Sequence, residues 1–275
     1  SGFIIPMRPK QKTLLWEFET EGGVGPSFLF GTMHVQDQRA FTFLELAKEK
    51  ILDCSLFALE FDLADAPLAM DASMLQLPNN KTLDQLLSRP VFEKLRRIFL
   101  KTVQLDIATF RHFSPMLVAN LINERLLSRD MPVSLDEHLW QFARQTGVPT
   151  TGIETYAEQM EVLQHISLDY QLKSLVSMGR HFRRHRQQLL HMAKLYEGAE
   201  IFKLYQAAKR SASGLRGLLL FRRNQIMANR IGQMAREQRL FCAIGAGHLA
   251  GGKGVIRLLK QEGFRMRPVA WRGNE

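Results

Sequence analysis

Only two cysteines, Cys54 and Cys242, occur among the 275 residues. That is too few for a disulfide framework, and the C-x-x-C spacing of a zinc or redox site is missing. Each stands near apolar neighbours, Ile51-Leu52 and Leu240-Phe241, and reads as a small core residue. No apolar run approaches the about 18 residues that a membrane-spanning helix needs, and the densest patch, Leu218 to Phe221, is far shorter. Low-complexity segments and inter-domain linkers are absent, and the composition excludes a disordered chain, a collagen-like repeat or a coiled-coil rod. Neither H-E-x-x-H nor G-x-S-x-G occurs, which excludes a zincin helix and an α/β-hydrolase nucleophile elbow. No basic segment leading into an apolar stretch marks a signal peptide. With Ser rather than Met at residue 1, the compartment is unassigned.

What is present in excess is positive charge: 37 Lys+Arg against 27 Asp+Glu gives +10. The basic residues are densest between Arg180 and Lys194. No stacking aromatics, recognition-helix signature or zinc-finger spacing accompany them, so the run reads as a solvated helix face rather than a nucleic-acid site. His181 and His185 lie within it, where the surrounding arginines disfavour a cation.

Short apolar runs predict strands at 13–19, 27–30, 55–61, 148–153, 240–244 and 264–270. Helical periodicity covers 41–54, and a short helix is expected over 254–261. Thr82-x-x-Gln85, Ser134-x-x-Glu137 and Thr155-x-x-Glu158 are capping boxes, and Gly147 is the expected C-terminal stop of the helix opened at Ser134. From Thr155 to about 237 the chain is helical and strand-poor, with breaks at Gly198 and Ser211–Gly214. Strands at both ends enclosing long helical stretches predict one α/β domain over 1–275. Its central sheet is mixed or mostly parallel and flanked by helices, with helical insertions at about 65–130 and 156–237.

One pattern occurs twice. Phe28-Leu29-Phe30 runs into Gly31-x-x-His34, and Phe241-Cys242-Ala243-Ile244 runs into Gly245-x-x-His248. Each is a strand, a glycine expected to allow a sharp turn, and an imidazole. In open α/β sheets ligands bind beyond the carboxyl ends of strands, where both histidines would lie. Glu60, ending the run Phe57-Ala58-Leu59, and Glu154, after the strand 148–153, share that placement. A buried carboxylate there needs a partner. Two histidines and one or two carboxylates suit a divalent metal such as Zn, Mn, Co or Fe, which acidifies a bound water and polarises a carbonyl. Asn224 falls on the helical stripe Leu220, Met227, Ile231, Met234 and must find a hydrogen-bond partner; it and Arg223 are expected at the site mouth. Two other glycine patterns near Gly245 resemble dinucleotide and phosphate loops. Too little chain follows for the first, and Gly254 stands where the second needs Ser or Thr.

These residues resemble the TraB/PrgY/GumN family, which includes the Tiki metalloproteases. The resemblance runs through TLLWEF, PSFLFGTMHVQD, LFALEFD, GIET, FRRNQIMANRI and FCAIGAGHLAGGKGVIRLLKQEGF. It implies an erythromycin-esterase/ChaN-like α/β fold and, for Tiki-like members, metal-dependent peptide hydrolysis. By position the metal-site residues are His34, His248 and Glu60. Arg223 and Asn224 match the family's Arg-Asn pair, with a substrate-contacting or supporting role, and Glu154 joins them. Many family members are exported. The expectation is therefore a metal-dependent hydrolase, most simply a peptidase. It would use Mn, Co or Zn on a peptide or protein substrate, with Glu60 as ligand or general base. The alternative is a non-catalytic protein holding haem or a metal ion in the same cleft, and a third reading is a regulatory peptide-binding module without metal.

Overall fold

The apolar runs become the strands Leu15–Glu19 (β1), Ser27–Thr32 (β2), Leu56–Leu59 (β3), Thr150–Gly152 (β4), Leu240–Gly245 (β5) and Arg265–Pro268 (β6). The computed structural model describes residues 12–65 and 75–270, so the start of the helical insertion expected from about residue 65 falls largely outside the described residues. The strands form one mixed sheet of order β4-β3-β5-β2-β1-β6. The four strands β4, β3, β5 and β2 are parallel, whereas β1 runs antiparallel to both β2 and β6. Between them, among the described residues, lie the helices Leu44–Leu52 (α1), Leu83–Leu86 (α2), Arg89–Val103 (α3), Pro115–Leu126 (α4), Leu135–Gln145 (α5), Tyr156–Gln164 (α6), Leu168–Arg180 (α7), Phe182–Glu197 (α8), Ile201–Ala212 (α9), Arg222–Glu237 (α10) and Val255–Gln261 (α11). The expected α/β class is the class observed.

Period-two alternation sorts the strand side chains onto two covered faces. Phe28, Phe30, Phe57, Leu59 and Phe241 pack with Ala47 and Ile51 of α1 and Leu135, Leu139 and Ala143 of α5. Leu29, Ala58, Leu240, Cys242 and Ile244 pack on the other face with Met227 and Ile231 of α10 and Val255 and Leu259 of α11. Each large apolar side chain so buried contributes roughly 1.5–3 kcal/mol. Both cysteines are buried and free, and burial pushes the Cys54 thiol up to about 12, consistent with inert core residues. The helices α3, α4 and α7 gather a separate apolar cluster around Phe92, Phe99, Val118, Ile122 and Leu175.

Local signals act where the sequence puts them. The Thr155 box is complete: the Glu158 amide donates to Thr155 Oγ1 at 3.1 Å, and the Thr155 amide donates to Glu158 Oε2 at 2.9 Å. The Thr82 box is also complete but opens only the one-turn α2, because Ser88-Arg89-Pro90 starts a new helix. At Ser134 only half the box forms. The hydroxyl accepts from the Glu137 amide, while the Glu137 carboxylate turns to Gln141. Gly147 follows α5 at φ +79°, the left-handed conformation of a helix stop. The strand expected over 148–153 shrinks to Thr150–Gly152, since Pro149 brings no N–H and supplies only its carbonyl, to Phe57. The basic run keeps Arg183, Arg184 and Arg186 exposed, as expected, while His185 bonds Asn123 at 2.7 Å.

Candidate functional site

Registration of the parallel strands brings the motifs together. Thr32 is paired with Gly245 across β2 and β5, so both G-x-x-H turns leave the same edge of the sheet side by side. Glu60 leaves β3, on the other side of β5, at that edge, and Glu154 follows β4.

The two motif glycines act through space rather than through their dihedral angles. Gly245 has φ −53°, and Gly31 is not among the glycines with positive φ, so neither needs glycine for its backbone conformation. A side chain at Gly31 would come within 2.5 Å of Leu249 Cδ1 and 3.2 Å of Ala246 Cα, both from the second motif's turn. A side chain at Gly245 would meet Glu60 Oε1 at 3.2 Å and His248 Cδ2 at 3.4 Å. The expected sharp turn is corrected accordingly: the first glycine lets the second motif pack down, and the second clears room for the carboxylate.

Glu60, His248, Arg223, Asn224 and Glu154 form one connected network. Glu60 Oε1 accepts from the Gly245 amide at 2.8 Å and lies 3.7 Å from His248 Nε2, and Oε2 accepts from Arg223 Nη2 at 3.0 Å. Arg223 also donates to both oxygens of the buried Glu154, at 2.7 and 3.1 Å. Burial alone would raise the Glu60 pKa, but the neighbouring His248 and Arg223 and the Gly245 amide bring it below the ordinary carboxylate value. Burial opposes the charge of Arg223 as well, and its two carboxylates more than offset this.

Asn224, fully buried, explains itself through two bonds. Its Nδ2 donates to the Lys253 carbonyl at 2.9 Å, which leaves Oδ1 to accept from His248 Nδ1 at 2.6 Å. The His248 proton is thereby fixed on Nδ1 and the lone pair on Nε2, facing Glu60. Burial lowers the His248 pKa below 6.5, against the opposing charge of Glu60. Asn224 therefore stands behind the imidazole and not at the site mouth.

His34 is exposed and makes a different bond. Its Nδ1 lies 3.3 Å from Asp136 Oδ2, while Asp136 Oδ1 accepts from Thr32 Oγ1 at 2.8 Å. The Asp136 hydrogen bond raises the His34 pKa above 6.5, with Asp136 and Glu60 adding their charge. Asp136 was not singled out in the sequence because it reads as an ordinary acidic residue in the first turn of a capped helix. The signal that could have found it was a carboxylate at a helix start in need of a cationic or imidazole partner.

Both imidazoles thus use Nδ1 on an oxygen acceptor and keep Nε2 as donor atom, the arrangement seen around metal-ligating histidines. The donor types, two imidazoles and an ionised carboxylate, fit a divalent cation. Among the described residues, however, no group of three or more His, Cys, Asp or Glu side chains is drawn together as a formed metal site. No described helix is long and apolar enough to cross a membrane.

The chain is similar in sequence to curated proteins named as metalloproteases. The chain is 26% identical to Metalloprotease TIKI2 of Danio rerio, with 92% of the chain and 60% of the relative covered. It is 24% identical to Metalloprotease TIKI1 of Homo sapiens, with coverage of 95% and 63%. A Metalloprotease TIKI homolog of Amphimedon queenslandica is also 24% identical, with coverage of 94% and 62%. The chain therefore spans about three-fifths of the length of these relatives. No solved structure matches it. The model of the TraB/PrgY/gumN family matches residues 14–268, and the chain belongs to that family.

Proposed function

We propose that the protein is a metal-dependent hydrolase that cuts peptide bonds, with residues 14–268 acting as a single catalytic domain. The observation that carries this reading is that two imidazoles leave one sheet edge, each with Nδ1 engaged behind it, and that the Nε2 of one, His248, lies 3.7 Å from the ionised Glu60. The names of the relatives support a metalloprotease. His34 Nε2, His248 Nε2 and Glu60 would hold Mn, Co or Zn, which when bound supplies an acidified water and a polarised carbonyl.

The chain's own groups do the rest. Glu60 acts through Oε1, as metal ligand or as general base, because Oε2 is committed to Arg223 while Oε1 faces His248 and accepts only the Gly245 amide. Arg223 keeps Glu60 ionised and fixes its rotamer, and Glu154 holds Arg223 in place. Asn224 fixes the His248 tautomer, and Asp136 does the same for His34.

Elemental analysis of protein purified without chelator or His-tag tests the reading, with wild type compared with His34→Ala and His248→Ala. Near-stoichiometric divalent metal in wild type, lost in both variants, together with metal-stimulated cleavage of a peptide library, is expected. Equal trace metal in all three after incubation with Mn, Co and Zn would overturn it in favour of a binding role.

A further inference from the structure

Among the cavities at the site, one lies beside Glu154 and Arg223, and two others differ in character. The one beside His34, about 560 Å³, is lined largely by polar groups, among them Gln36, Asn120, Asn123, Ser134 and Glu137. The one beside Glu60 and Arg223 is smaller, about 160 Å³, and its remaining walls are Met160, Val162, Leu163 and Leu219 with the single amide Gln159. These four apolar residues are only half-buried, so apolar surface is left open directly against the reacting carboxylate.

The walls are held in place. Gln159, Met160, Val162 and Leu163 lie on α6, which is fixed at its start by the Thr155–Glu158 box. Arg230 Nη1 and Nη2 donate to the two Glu158 oxygens at 2.6 and 2.7 Å, tying α6 to α10. Leu219 comes from the π-helical turn Gly217–Phe221 that leads into α10, one turn before Arg223. Single π turns of this kind frequently sit at functional sites.

We propose that this hollow is a specificity pocket for one medium-sized apolar side chain of the substrate, of the Leu, Met or Phe class, next to the bond that is cut. The inference rests on the hydrolase reading and adds the substrate class. The volume is close to that of a ~150 Å³ cavity that accepts benzene, and well under the ~300 Å³ at which drug-sized sites begin. The occupant is therefore one side chain. An acidic side chain finds no free counter-charge there, because Arg223 is already bonded to Glu60 and Glu154. A polar one would be desolvated against four apolar walls with a single amide to meet it.

Two measurements on the full chain test the proposal. In the first, methionine methyls are isotope-labelled, the Met160 signal is assigned with Met160→Leu, and N-acetyl-leucinamide or N-acetyl-serinamide is titrated in. The Met160 methyl is expected to shift with the leucine probe only, and to fall silent in Leu219→Trp, which fills the hollow. In the second, peptide-library cleavage is expected to favour a Leu, Met or Phe residue beside the scissile bond. Leu219→Trp should lower kcat/KM for those peptides about tenfold or more relative to Gly or Ala peptides, and Val162→Ala should extend the preference to Trp. A Met160 methyl that ignores both probes, or answers both equally, overturns the pocket. Cleavage without apolar preference does so too, while leaving the hydrolase reading intact. A selective Met160 response with no peptide cut supports the pocket and overturns the hydrolase reading instead.

Discussion

His34 and His248 close the same four-residue pattern, yet their surroundings push them in opposite directions. His248 is buried, bonded to a neutral amide and shifted toward its neutral form; His34 is exposed, bonded to a carboxylate and shifted toward its protonated form. A repeated motif fixes where an imidazole emerges from the sheet, and its surroundings decide how it titrates: burial lowers the His248 pKa, and the Asp136 hydrogen bond raises that of His34. The buried half of the site is therefore built on desolvated charge, and the exposed half on a screened pair.

The largest effect should come from cutting the buried half at its centre. Arg223→Ala leaves Glu60 and Glu154 without their shared cation and should cost about 3–5 kcal/mol of unfolding free energy in urea denaturation. A loss no greater than that of Asp136→Ala would erase the distinction between the halves. Asn224→Asp tests the comparison from inside, by giving His248 the partner type that His34 has. The His248 pKa should rise in an NMR titration, at a stability cost of about 1–3 kcal/mol because the Lys253 carbonyl loses its donor. A His248 pKa that stays below 6.5 in this variant would mean that burial, and not the partner, governs it.

The smallest effect is the converse exchange. Asp136→Asn keeps an acceptor for Thr32 but takes the charge from His34, whose pKa in the metal-free protein should fall back toward 6.5. His34 is exposed, so the pair's stability contribution is within about 1 kcal/mol. Since folding raises this pKa, the contribution is complete below 6.5 and disappears as pH rises through the folded value. Wild type and variant should thus differ in unfolding midpoint near pH 6 and coincide near pH 9. His248 works the other way, its neutral ring favouring the fold above 6.5 and opposing it as pH falls.

Much of this was legible in the residues. The presence of six strands, the Thr155 box, the Gly147 stop and the emergence of Glu60, Glu154 and both histidines at one sheet edge follow from local pattern and the rules of parallel sheets. The companions of those residues were not legible. Asp136 meets Thr32 across 104 positions, Arg223 meets Glu60 across 163, and the Gly245 amide reaches Glu60 across 185. Such contacts depend on register and helix placement, which no window of sequence contains. The role given to the glycines was wrong for the same reason: the atoms they make room for belong to distant segments.

β5 carries the second imidazole and also occupies the middle of the sheet, between β3 and β2. The Leu240 amide bonds Ser27 Oγ across 213 positions. A growing chain therefore makes β2 and β3 long before the strand that joins them, and closing so long a loop is slow. Until residue 240 and the turn beyond it have been synthesised, the sheet has no centre and His34 has no counterpart. The two halves of the site therefore meet only once the chain has been made through His248, a delay set by strand order alone.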